Sequence, residues 1–130
     1  MEQKTILVVD DDPDITETIR FNLEQEGYQV LTAGDGASAL GTVRLSNPDL
    51  IVLDVMMPKE NGYRVAKIIK EDQEAGRLTK KIPIILLTAR NLKDDPEREK
   101  MFMGFSHADM VIYKPFKTKD LLKRIHDLLM

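Results

Sequence analysis

Five short apolar runs alternating with five helical patterns predict an α/β domain built on a parallel sheet. Three observations carry that prediction. The runs are rich in β-branched residues. Most are apolar without alternation, as in strands covered on both faces. Between successive runs lies a capped segment whose apolar residues recur at helical spacing.

The elements follow in order. Thr5-Ile6-Leu7-Val8-Val9 is the first strand and ends abruptly in Asp10-Asp11-Asp12. Asp12 is placed to cap a helix with Pro13 at its first position, and Ile15, Ile19 and Leu23 then repeat at four-residue spacing. Gly27 stops that helix. Tyr28 to Thr32 is a second strand with more alternation, and Ala37, Leu40 and Val43 mark a second helix that closes before Pro48. Leu50 to Leu53 is the third strand and ends at Asp54. Asn61 caps a third helix with Val65, Ile68 and Ile69 facing inward. Ile82 to Leu87 is the fourth strand and ends at Thr88, and Asp95-Pro96 opens a fourth helix carrying Met101, Phe102 and Phe105. Met110 to Tyr113 is the last strand and ends at Lys114. Thr118 or a neighbour caps the fifth helix, whose apolar side is Leu121, Leu122, Ile125, Leu128 and Leu129. Parallel strands need crossovers, so helices are expected on both faces. The expected architecture is a flavodoxin-like doubly wound sheet of five strands in the order 2-1-3-4-5, one domain over residues 1–130.

Composition narrows the function. Hydrophobic residues at 42% and charged residues at 32% describe a globular chain and not a disordered one. The net charge of −3 argues against a nonspecific nucleic-acid coat, so no direct nucleic-acid partner is expected. With no cysteine, disulfides, thiolate metal sites and thiol nucleophiles are excluded. His107 and His126 are well apart and read as surface residues, which disfavours a histidine zinc site. The longest apolar run, Ile82 to Leu87, is far short of the ~20 residues of a membrane helix. Met1 to Lys4 leads directly into a strand, so no signal peptide, no membrane partner and a cytoplasmic location are expected.

In an open parallel sheet the binding crevice lies beyond the carboxyl ends of the strands. Strand one delivers Asp10, Asp11 and Asp12 there, strand three Asp54, strand four Thr88 and strand five Lys114. Strand one neighbours strand three in the expected order, so Asp10, Asp11 and Asp54 converge. Two carboxylates ~4 Å apart repel by ~4 kcal/mol at an effective dielectric of about 20. Such a cluster takes up protons or binds a cation, and oxygen ligands without nearby His or Cys point to Mg²⁺. Lys114, approaching from the other side, leaves space for an anion, and Thr88 adds a hydroxyl donor. The set forms a pocket for a phosphoryl group with an aspartate as candidate nucleophile. Individually each residue has a blander role: Asp12 as a helix cap, Asp54 as a loop acid before the Pro58 turn. Their joint placement at successive strand ends is what calls for chemistry.

Four motifs then resemble the receiver domain of two-component response regulators, of the chemotaxis-regulator type. They are Ile6-Leu7-Val8-Val9-Asp10-Asp11-Asp12-Pro13, Asp49-Leu50-Ile51-Val52-Leu53-Asp54-Val55-Met56-Met57-Pro58 with Gly62, Ile84-Ile85-Leu86-Leu87-Thr88-Ala89, and Lys114-Pro115-Phe116. The resemblance implies that Asp54 is the phosphoacceptor. It implies Mg²⁺ held by Asp11, Asp54 and the backbone carbonyl of Met56, with Asp10 assisting. Thr88 and Lys114 would contact the phosphoryl oxygens, and Ala89 would leave them room. The donor would be a phosphohistidine on a sensor histidine kinase or phosphotransfer protein, or a small acyl phosphate. The surface around helix four, strand five and helix five would change. Such a chain is a switch and not an enzyme, since it promotes only its own phosphorylation and dephosphorylation.

Departures from the family pattern fall mostly on signalling. Asn61 replaces an acid, with little expected effect on the chemistry. His107 stands where a glycine is usual and alters the turn before Ala108-Asp109. Val111 replaces the aromatic expected three residues before the lysine, and Tyr113 follows on the same strand face. The stretch from Thr88 to Lys114 is about four residues longer than is usual in the family, which places extra chain around Asn91 to Glu99. Activation is therefore expected to shift residues 91–105 more than a strand-five side chain. The alternative is a pseudo-receiver, an interaction module that works without phosphorylation. A Mg²⁺-dependent aspartyl phosphatase would carry a second acid two residues after the nucleophile, where this chain has Met56. The chain stops with the fifth helix, so no effector domain is expected within it.

Overall fold

Burial of every residue from Ile6 to Val9 and from Leu50 to Leu53, all at 0% exposure, makes two strands the floor of the molecule. The computed structural model describes residues 3–57, 61–78, 80–89 and 96–130. Expectations resting on Pro58, Asn91 and Asp95, and on the side chains of Ala89, Glu99 and Phe102, lie outside the described residues. The strands are β1 (Thr5–Val9), β2 (Gln29–Ala33), β3 (Leu50–Asp54), β4 (Ile84–Ala89) and β5 (Met110–Lys114). The helices are α1 (Pro13–Gln25), α2 (Gly36–Ser46), α3 (Gly62–Glu74), α4 (Pro96–Ser106) and α5 (Thr118–Leu129). The sheet is parallel throughout, in the order β2-β1-β3-β4-β5, as expected.

Alternate residues along each strand feed opposite faces. Ile6, Val8, Leu50, Val52, Ile85 and Leu87 pack against Ile19 and Leu23 of α1 and Leu121 and Ile125 of α5. Leu7, Val9, Ile51, Leu53, Ile84 and Leu86 pack against α2 and α3 through Ala39, Val43, Val65, Ala66 and Ile69. Each fully buried Leu or Ile contributes about 1.5–3 kcal/mol, so this doubly covered centre dominates stability.

Boundaries differ from expectation where backbone groups are used elsewhere. β2 begins at Gln29 because the Tyr28 amide donates to the Leu23 carbonyl at 3.1 Å, closing α1 in a Schellman turn with Gly27 at φ 93°. β4 begins at Ile84 because Pro83 has no donor and the Ile82 carbonyl accepts from Lys70 Nζ at 3.0 Å. Of the two options for α5, the neighbour Lys117 is the cap, without a side-chain bond, and Thr118 is the first helical residue. Ala37 is exposed and Ile68 half-buried, whereas Ala39, Val43, Val65 and Ile69 carry the contacts of their helices.

The fourth helix turns part of its apolar set to solvent. Met101 is 61% and Phe105 42% exposed, while Met103 packs on the core and Ser106 is buried. Residues 103 and 106 share the inward face at a spacing of three, which turns 101 and 105 outward. Immediately after α4, His107 adopts φ 57° and its amide donates to the Met103 carbonyl at 2.9 Å. This is the left-handed C-cap position that favours glycine, held here by a residue with a Cβ. Left-handed backbone costs a non-glycine residue about 1–2 kcal/mol, and glycine's freedom when unfolded offsets about half of that. His107 is exposed and sacrifices little contact. His107→Gly is therefore expected to stabilise the fold by about 0.5–1 kcal/mol, seen as a higher urea midpoint at unchanged m-value.

Candidate functional site

β1 and β3 are hydrogen-bonded neighbours with Val9 paired to Leu53, so Asp10 and Asp54 leave the sheet side by side. Both are buried, at 3% and 2% exposure, while Asp11 on the following turn is exposed. One carboxylate oxygen from each of Asp10, Asp11 and Asp54 lies within 4.8 Å of the other two. Asp12 is instead the cap of α1, accepting from the Asp14 amide at 2.9 Å.

The two buried acids are held differently. Asp54 Oδ1 accepts from Lys114 Nζ at 3.0 Å and from the Met56 amide at 3.3 Å. Asp10 Oδ1 accepts from the Asp12 amide at 2.9 Å. Asp10 Oδ2 is buried without a hydrogen-bond partner, and Lys114 Nζ stands 3.7 Å away. Burial pushes the Asp10 carboxyl up from its ordinary value. Asp54 and Asp11 push the same way, while the Asp12 amide and Lys114 oppose in part. The folded chain thus holds this proton more tightly than the unfolded chain. Without a cation, its stability is expected to fall as pH rises from the ordinary 3.8 through the raised value.

An orphaned buried carboxylate oxygen inside an all-oxygen cluster is what a hard divalent cation would satisfy, so the residues fit Mg²⁺. Lys114 was expected to leave a gap for an anion, and instead it bonds Asp54 directly. Among the described residues its ammonium is the one paired with these acids, and it precedes a cis Lys114–Pro115 peptide. Thr88 is buried near the carboxyl end of β4, one residue beyond Leu87, which pairs with Asp54. Tyr113 pairs with Thr88 across β4 and β5 and shares its face of the strand with Val111.

Two features beside the acids carry no assignment from the motif spacing alone. A Cβ on Gly62 would stand 2.5 Å from the Asp54 carbonyl oxygen and 2.7 Å from Val55 Cα, so α3 begins directly against the backbone of Asp54. The Gly62 amide donates to the Val55 carbonyl at 3.1 Å, and Asn61 caps the helix by accepting from the Tyr63 amide at 2.8 Å. A glycine just after a helix cap was the available signal. The second feature is a mostly apolar cleft of about 670 Å³ beside the cluster, lined among others by Ile15, Ile19, Met56, Lys114 and Phe116, with Met56 67% exposed. His107 and His126 are exposed, as expected, and no helix among the described residues is long and apolar enough to cross a membrane.

Known proteins resemble this chain along most of its length. Residues 6–126 match the family model of the response regulator receiver domain. The DNA-binding response regulator MtrA of Mycolicibacterium smegmatis is 38% identical over 124 residues, covering 95% of this chain and 49% of that protein. The alkaline phosphatase synthesis transcriptional regulatory protein PhoP of Bacillus subtilis is 39% identical over 126 residues, covering 97% and 48%. The chain thus spans about half the length of these relatives. Among solved structures, the Vibrio cholerae chemotaxis protein CheY4 superposes with a TM-score of 0.84 at 30% identity, covering 98% of this chain and all of that one. With its fold, its carboxylate cluster and the match along nearly its whole length, the chain belongs to the response regulator receiver domain family, the phosphoryl-accepting switches of two-component signalling.

Proposed function

We propose that residues 1–130 form a single receiver domain in which Asp54 accepts the phosphoryl group. The observation that carries this is the Asp54 carboxylate itself, buried at a strand end, bonded to Lys114 at 3.0 Å and flanked by two further acids. Asp54 forms the new O–P bond as the donor's N–P or O–P bond breaks, and the donor leaves with its electron pair. Lys114, already between Asp54 and Asp10, supplies positive charge to the phosphoryl oxygens. The Met56 amide orients the acceptor through Oδ1, and Thr88 offers its hydroxyl from β4. Asp10, Asp11, Asp54 and the backbone carbonyl of Met56 would hold Mg²⁺. When bound, the ion neutralises charge on the transferring group.

The donor is a phosphohistidine of a sensor histidine kinase or phosphotransfer protein, or a small acyl phosphate, reaching Asp54 beside the apolar cleft. The chain releases no product of its own and acts as a switch in the cytoplasm. Its net charge of −3 supports no direct nucleic-acid contact by this stretch.

Metal dependence tests the reading. Acetyl phosphate is expected to label the chain with Mg²⁺ and not with a chelator, followed by intact mass. Mg²⁺ affinity measured by calorimetry is expected to be weak, since the ion keeps several waters. Asp10→Asn and Asp11→Asn should each weaken it about tenfold or more. In chelator, Asp10→Asn should raise Tm by a few degrees, because its buried charge is removed and Asn Oδ1 still serves the Asp12 amide. Asp11 is exposed and its replacement should change Tm less. Equal labelling with and without the metal would refute the assignment.

A further inference from the structure

α3 begins at the acceptor and packs against α4. Its first residue, Gly62, sits against the backbone of Asp54 and Val55. Five residues on, Lys67 Nζ lies 4.3 Å from the centroid of the Phe105 ring in the last turn of α4. Three residues further, Lys70 Nζ donates to Asp109 Oδ2 at 2.8 Å and to the Ile82 carbonyl at 3.0 Å. Asp109 lies between α4 and β5, and the same Oδ2 accepts from the Ile84 amide at 2.8 Å. Lys67 and Lys70 are three apart and so occupy one side of α3.

The two contacts differ in kind. Lys70 has a side-chain exposure of only 14%, and its partner oxygen also fastens the start of β4, so this end is an anchor. Lys67 meets a ring that is 42% exposed, so this end is solvated and easily exchanged. Among the described side chains of α4, Ser106 is fully buried in the last turn. Met103 is only partly buried, and Met101 points outward. From β5, position 111 offers a stiff β-branched side chain with few rotamers to exchange.

We propose that Lys67 and Lys70 form a strap through which α3, and not β5, ties the position of α4 to the phosphoacceptor. This rests on Asp54 being that acceptor. The strap belongs to the arrangement in which Lys114 is bonded to Asp54. A phosphoryl group competes for that lysine, and on this proposal the arrangement it favours loosens the strap. A contact that differs between two states shifts their populations, and the coupling is reciprocal. Loss of the Lys67–Phe105 contact should therefore tighten binding of a phosphoryl mimic by the weight of one exposed cation–π pair, about two- to fivefold.

The test uses the full chain with Mg²⁺ and beryllofluoride, binding being read by fluorine NMR and α4 by amide exchange over residues 96–106. Lys67→Met keeps the stem and removes the charge; Phe105→Leu removes the ring. Each is expected to tighten binding about two- to fivefold and to speed α4 exchange by a similar factor, with β1 and β3 unchanged. The double variant should do no more than either single change, and Lys67→Arg should match the wild type. Unchanged or weaker binding in Lys67→Met, or additive effects in the double variant, overturns the strap alone, provided the wild type binds. A wild-type chain that binds no beryllofluoride overturns the acceptor assignment and the strap with it.

Discussion

Asp54→Ala is expected to abolish the mass gain of about 80 Da that acetyl phosphate and Mg²⁺ produce in the wild-type chain. The residue is 2% exposed, yet its side chain makes no apolar contribution to either core cluster. What it contributes is a carboxylate bonded to Lys114 and the Met56 amide. Its removal deletes the nucleophile and frees Lys114, whose side chain is 29% exposed and also stands near Asp10. Folding should survive, because Lys114 regains water or Asp10 and the acid cluster loses one repelling charge. Circular dichroism and intact mass on the same sample separate the outcomes. A folded Asp54→Ala chain that still gains the mass would place the acceptor elsewhere and refute the site as drawn.

Gly62→Ala should be the most damaging single methyl in the described chain. The added Cβ would meet backbone atoms at 2.5 and 2.7 Å, and backbone cannot rotate aside as a flexible side chain can. Either α3 retreats, breaking the bond from the Gly62 amide to the Val55 carbonyl, or the end of β3 shifts. Overpacking of this kind costs about 1–3 kcal/mol, and the rigid neighbour places this case toward the upper end. The chemical effect should exceed the structural one. A displacement of about 1 Å at a reacting group costs about 10²-fold in rate, and Asp54 is the residue displaced. Urea denaturation and the rate of labelling by acetyl phosphate measure the two losses. A labelling rate within about twofold of wild type would show that Gly62 does not position the acceptor.

The sheet and the acids were legible for one physical reason. β1 and β3 are covered on both faces, so their runs are continuous and their ends abrupt. The residue after such a run projects into the crevice, which is how Asp10, Asp54, Thr88 and Lys114 could be picked out. The site's direct Lys114–Asp54 pair was less legible, since adjacency in the sheet does not say which charge a flexible lysine chooses. The inward face of α4 is not legible, because its apolar residues surround the axis and periodicity cannot then tell inside from outside. Contacts across long separations left no trace in the pattern. Lys70 and Asp109 are 39 residues apart. Asp72 is buried, which opposes its ionisation, yet Arg77 and Arg44 bond it and hold its carboxyl below the usual range. Nothing in the spacing of those three residues announces the triad.

The uneven covering of the sheet has a mechanical consequence. β1 and β3 are sealed, whereas every residue of β5 is only half-buried. Amides of the centre can exchange only when the whole domain opens, while those of the β5 edge can open locally at a small fraction of that free energy. Asp54 is therefore mounted at the end of a strand that is buried along its whole length, while the strands at both edges of the sheet are more loosely covered. A displacement at Asp54 is resisted by the packed strand beneath it and is taken up more cheaply where covering is thinner, as at the exposed Met56 and along the sheet edges.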